Sequence, residues 1–228
     1  GAPKLADVGT MLGILRDLGV RGEQSADGVL ELDAGGDVRL QAGWEGVRKM
    51  RGSVCVLGPL LARFGRAEVS LPGGCVFGVR PIDVHLKGLS MLGAQVRIEH
   101  GFVIAEAPQG GLRGASMYLG CAFGSSVLGT ANVLMAATLA KGKTIIQGAA
   151  CEPEVVDLAD CLNAMGAQIT GQGSPVLEIE GVDELHAATH RVIPDRIEVG
   201  TYILAGSLCG GRVRVENCRP DHLASMLD

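Results

Sequence analysis

At 228 residues the chain is long enough for one or two domains with a real hydrophobic core. Its net charge of −5, with one Trp, two Tyr and four Phe, argues against a nucleic-acid partner, which needs a basic face and stacking rings. Mean hydropathy is positive at +0.29. Even so, the longest strongly apolar stretch, NVLMAATLA at 132–140, falls well short of the roughly 18 residues of a membrane span, so no membrane partner is expected.

Seven cysteines are scattered at 55, 75, 121, 151, 161, 209 and 218, with no CxxC pair or His/Cys cluster at zinc spacing. That usage suits a reducing cytoplasm, with no disulfide frame and no structural metal, and no cofactor is expected. No charged-then-apolar leader opens the sequence, so a cytoplasmic location is expected.

Taken in chain order, the elements repeat. APKLADVGTML (2–12) opens a helix that should stop at LGV (18–20), and GVLELDA (28–34) follows as half of a hairpin. SVCVLGPLLARFG (53–65) is a helix apolar almost all round that ends in glycine and runs into the strand AEVSLPG. RPIDVHLKGL (80–89) restates the first pattern, stopping at LGA (92–94) before GFVIAEA (101–107). SVLGTANVLMAATLAKG (126–142) restates the second, running into KTIIQGA. EPEVVDLADCL (152–162), MGA (165–167) and PVLEIEG (175–181) give the first pattern again, and VGTYILAGSLCGG (199–211) with RVRVENC gives the second. RPDHLASML (219–227) opens a further unit. The acids Asp7, Asp83 and Asp157 hold analogous places and read as helix caps.

A helix without a polar face has to be buried on every side. The expected architecture is therefore α/β with the usual layering reversed: buried apolar helices inside, sheets outside, three repeats closing into a prism. Residues 197–217 would supply the third helix–strand piece, in the same chain or from a neighbour, and an incomplete repeat offers a surface for self-association.

One loop stands out. LPGGCVFGVRPIDVHL (71–86) puts Cys75 on a Pro-Gly-Gly turn five residues before Arg80. Glycines present the thiol on an open loop, where nearby cations can tune its pKa from about 8.5. Read alone, Cys75 is more readily an incidental exposed thiol than a catalytic one, Arg80 a solvated or ion-paired surface residue, and Arg51 a surface residue near a helix start. His85 is either a hydrogen-bonded helix residue or a ligand neighbour.

Four motifs change that balance: KMRGSVCVLGPLLARFG (49–65), LPGGCVFGVRPIDVHLKGLSMLGAQ (71–95), AATLAKGKTIIQGAACEPEVVDLA (136–159) and RVIPDRIEVGTYILAG (191–206). In order and over nearly the whole length, they resemble the UDP-N-acetylglucosamine 1-carboxyvinyltransferase family, enolpyruvyl transferases of peptidoglycan synthesis. The resemblance implies the inside-out α/β prism and an addition–elimination reaction. The sugar 3-hydroxyl attacks C2 of phosphoenolpyruvate while C3 takes a proton, and the tetrahedral ketal then expels phosphate. Cys75 matches the family's general acid, alkylated there by fosfomycin. Arg80 matches an arginine for the anionic substrates.

By the same resemblance, Arg80, Pro81, Ile82, Asp83 and Val84 match the stretch that contacts the UDP-sugar, and Arg51 a further contact. Ser125, Ser126 and Val127 match the loop at the start of the second buried helix, where free N–H groups suit a diphosphate. UDP-N-acetylglucosamine and phosphoenolpyruvate are thus the expected partners, and a cytoplasmic role in cell-wall biogenesis the expected setting. Two family features have no counterpart: an N-terminal lysine–asparagine pair, and a second domain with a catalytic aspartate. The implied division is a Cys-loop domain over 1–190 lacking its first helix–strand unit, then a linker and the start of the second domain over 191–228. Two other readings stand beside this one. The chain is a non-catalytic nucleotide-sugar-binding fragment of that enzyme, or another enolpyruvyl transferase such as the shikimate-pathway synthase.

Overall fold

The computed structural model describes residues 2–73, 82–122 and 124–228. They divide into two compact units, Gly1–Ala187 and Ala188–Asp228.

The first unit is built on the predicted repeat. Helices α1 (Ala6–Asp17), α4 (Asp83–Met91) and α6 (Pro153–Ala164) each end two residues before a glycine in the left-handed region: Gly19, Gly93 and Gly166, at φ +95°, +94° and +100°. The N–H beyond each glycine folds back to a carbonyl of the last turn: Val20 to Leu15, Ala94 to Leu89, Ala167 to Leu162, at 2.9–3.1 Å. Such caps satisfy orphan carbonyls, and only glycine enters this conformation without a Cβ penalty. Each cap turns the chain into an antiparallel hairpin: β1 (Arg21–Gln24) with β2 (Leu30–Asp33), β5 (Gln95–Glu99) with β6 (Phe102–Glu106), and β9 (Gln168–Thr170) with β10 (Val176–Glu180).

Two hairpins extend into four-stranded sheets of the same topology. One runs β3 (Gln41–Ala42), β4 (Arg66–Ser70), β6, β5, and the other runs β7 (Ser116–Tyr118), β8 (Lys143–Gln147), β10, β9. In each, the first pair is parallel and the rest antiparallel. The β1–β2 hairpin forms a two-stranded sheet of its own.

Period-two alternation gives each four-stranded sheet one apolar and one polar face. Ala67, Val69, Val103 and Ala105 are buried, as are Ile146, Leu177 and Ile179. On the other face Arg66 pairs with Glu68 and Glu106, Arg97 with Glu106, and Lys143 with Glu178. The apolar faces meet helices α3 (Leu57–Phe64), α4, α5 (Val127–Ala137) and α6. Among these α5 touches the other three and buries Val133, Leu134, Ala136 and Ala137. The sequence left it no polar face, and it sits where none is needed.

In the second unit, α7 (Arg196–Cys209) starts at Asp195, whose carboxylate accepts the N–H groups of Ile197 (2.8 Å) and Glu198 (3.1 Å). Gly200 packs beside Met226 and Leu223 of the short C-terminal turns. Two expectations fail here. RVRVENC forms no strand among the described residues, because residues 188–228 contain no other strand to pair with it and an isolated strand is not stable. Nor is α7 buried all round: Tyr202, Leu204 and Leu208 are exposed, since a unit of this size cannot enclose a helix.

The acids do not cap as expected either. The N-cap positions of α1 and α4 are Leu5 and Ile82, with no side-chain cap bond. Asp7 and Asp83 lie inside the first turn, where they complement the helix dipole. Asp157 is the fifth residue of α6, whose N-cap is Glu152.

Candidate functional site

Three segments carry the described site candidates. Arg51, half-buried, opens a 3-10 turn (Arg51–Val56) leading into α3. Ser53 pins that turn, its hydroxyl placed to donate to Val47 O at 2.9 Å and Met50 O at 2.5 Å. Ile82, buried, stands at the N-cap of α4, followed by exposed Asp83 and half-buried Val84. Ser125 is exposed, Ser126 is the N-cap of α5 with its Oγ accepting the Gly129 N–H at 3.1 Å, and Val127 begins that helix. Cys75, Arg80 and Pro81 lie outside the described residues.

The three segments converge because helices α3, α4 and α5 approach closely. Gly58 and Gly88 make this possible: a Cβ on Gly58 would collide with Asn132, and one on Gly88 with Val133. Val84 lies against Gly129. At the centre, Asn132 Oδ1 accepts the Gly58 N–H at 2.7 Å, and its Nδ2 reaches Val54 O and His85 Nδ1, each at 3.0 Å. Thr130, one turn beyond Ser126, accepts the Ala150 N–H at 3.0 Å.

His85 is buried, and burial pushes its imidazole pKa down to about 4, with the positive charge of Arg51 acting in the same direction. Neither Asn132 nor Thr130 was among the sequence candidates, and His85 was read two ways. The available signal was a single Asn at the head of the run NVLMAATLA: a polar amide in so apolar a helix must be hydrogen-bonded inside.

The arrangement suits an anion. A cationic Arg51 and the N-terminus of the 11-residue helix α5 lie on segments held together by one network. By contrast, a cleft of about 350 Å³ beside the β1–β2 hairpin is lined by Glu23, Asp27 and Glu31, which would repel one. Among the described residues no group of three His, Cys, Asp or Glu is placed to hold a metal ion, and no helix is long and apolar enough to cross a membrane.

The family model for EPSP synthase (3-phosphoshikimate 1-carboxyvinyltransferase) matches residues 1–228. The chain belongs to the EPSP synthase family.

Solved structures agree on the fold of this EPSP synthase family member. The enolpyruvyl transferase NikO from Streptomyces tendae superposes with a TM-score of 0.74 at 24% identity, over 90% of this chain and 48% of that one. Two EPSP synthase structures from Acinetobacter baumannii superpose with a TM-score of 0.63 at 18% identity, over 87% and 86% of this chain and 44% of each of theirs. The chain thus spans about half the length of these proteins. The expected fold class, an α/β enolpyruvyl transferase fold, is the observed one. The family description names a 3-phosphoshikimate 1-carboxyvinyltransferase, the Acinetobacter structures are EPSP synthases, and the Streptomyces tendae structure is an enolpyruvyl transferase.

Proposed function

We propose that this chain forms one wall of an enolpyruvyl transferase site, binding the acceptor alcohol and one side of phosphoenolpyruvate. The observation that carries the reading is that one buried amide network joins the turn opened by Arg51, the helix begun at Asp83–Val84 and the helix capped by Ser126. In the proposed reaction the acceptor hydroxyl gives up its proton to a base as its oxygen bonds to C2 of phosphoenolpyruvate and C3 gains a proton from an acid. Loss of a proton from the C3 methyl group with departure of phosphate then leaves the enol ether. Arg51 meets the acceptor's negative charge, and Ser126 and Val127 offer the N-terminus of α5 to it. Cys75 as general acid and Arg80 as a cation for the substrates rest on the PGGC and RPID motifs alone.

Those motifs favour UDP-N-acetylglucosamine as the acceptor. The comparisons favour the second reading, a different enolpyruvyl transferase: the matching family description names a 3-phosphoshikimate 1-carboxyvinyltransferase, and the two Acinetobacter structures are EPSP synthases. Calorimetric titration with each acceptor separates the two. Heat with UDP-N-acetylglucosamine and none with shikimate 3-phosphate supports the nucleotide-sugar reading, and the reverse pattern supports the shikimate one. No heat with either ligand, with or without phosphoenolpyruvate, rejects the acceptor-binding role.

A further inference from the structure

Among the described residues, the Asn132 side chain joins Gly58 N, Val54 O and His85 Nδ1, and its bonds span 47 to 78 residues of sequence. The amide's orientation follows from chemistry. A backbone N–H can be met only by the oxygen, so Oδ1 faces Gly58 and Nδ2 faces the other two groups. One Nδ2 hydrogen goes to the Val54 carbonyl and the second to His85. Nδ1 of His85 must then be the acceptor, and the ring proton sits on Nε2.

The placement of the three partners is what gives this amide more than a packing role. Val54 belongs to the turn that Arg51 opens, His85 lies two residues after Asp83, and Asn132 itself is on the helix that Ser126 caps. We propose that Asn132 is a positioning residue for the acceptor site. Its amide holds the 51–56 turn, the start of α4 and the start of α5 in one register, and it fixes His85 as the Nε2–H tautomer. This rests on the reading of the site given above. The glycine contacts strengthen it: with Gly58 and Gly88 against α5, the backbones have no slack to take up a misplaced amide.

The test uses the full chain, ¹⁵N-labelled. Wild-type His85 should show Nδ1 with the shift of an unprotonated ring nitrogen and Nε2 with that of a protonated one, a measurement that needs no variant. Asn132→Asp keeps an acceptor for Gly58 but removes both donors, so the ring should exchange its proton to Nδ1 and donate to the new carboxylate. The amide signals of Arg51, Asp83 and Ser126 should move together. Whichever of UDP-N-acetylglucosamine or shikimate 3-phosphate binds the wild type should bind the variant at least about tenfold more weakly, as a small misplacement of binding groups implies. Ile179→Ala, a core truncation in the β8–β10 sheet, should lower stability without moving those signals. The proposal is overturned if wild-type Nδ1 carries the proton, if the changes in Asn132→Asp stay within α5, or if Ile179→Ala produces the same pattern. Failure of the wild type to bind either ligand removes the functional reading, while the tautomer and the spread of the shifts still decide the positioning role.

Discussion

Thr144 of β8 lies directly across from Ile179 of β10 in the antiparallel register, and its hydroxyl is buried with no hydrogen-bond partner among the described residues. A buried hydroxyl without a partner costs about 1–3 kcal/mol, and valine has nearly the same shape. Thr144→Val should therefore raise the unfolding free energy by about 1 kcal/mol in urea denaturation. A loss of stability would mean that the hydroxyl has a partner after all.

His85 makes stability depend on pH. Its folded pKa, about 4, lies below the unfolded value near 6.5, so between the two the unfolded chain binds more protons than the folded one. The contribution is complete above pH 6.5 and is lost as the pH falls toward 4. Between pH 7.5 and 5.0 wild type should lose about 1–2 kcal/mol more than His85→Gln, which keeps an acceptor for Asn132 but does not titrate. Parallel pH dependence in the two proteins would show that His85 is protonated freely in the fold.

The close helix approach sets a contrast between glycines. Gly58→Ala drives a methyl into Asn132 and should destabilise by about 2–3 kcal/mol or prevent folding. Gly9→Ala, at an exposed position of α1 with open space around its Cβ, should stabilise by about 0.5–1 kcal/mol through lower backbone entropy in the unfolded chain. Thermal unfolding of both variants checks the sign of each.

The cysteines should sort by environment. Burial pushes the Cys55 thiol pKa up to about 11, leaving almost no thiolate at pH 8, whereas Cys121, Cys151 and Cys209 are exposed. Peptide mapping after brief iodoacetamide treatment should find Cys55 the least labelled of these four. Fosfomycin should mark Cys75 in preference to all of them if the PGGC motif has the role proposed for it. Equal labelling across the exposed thiols, with none on Cys75 in a chain that binds UDP-N-acetylglucosamine, would count against that role.

The repeat was legible in the sequence because its signals are local. A glycine at 19, 93 or 166 stops a helix through the φ of one residue, and the alternation in GFVIAEA or PVLEIEG states which face is buried. An apolar α5 likewise announced its own burial. What depended on distant partners was not legible. RVRVENC has the pattern of a strand, but a strand exists only by pairing, and residues 188–228 supply no partner. Asp83 occupies a cap-like place in the motif, yet the helix begins at that residue, so its carboxylate meets the dipole and not the capping position. The site shows the division most clearly. Sequence motifs named Arg51, Asp83, Val84 and Ser126 one segment at a time, while Asn132 joins Val54, Gly58 and His85 across as many as 78 residues. Only the tertiary packing of α3, α4 and α5, close enough for one buried amide to reach all three partners, brings these segments together.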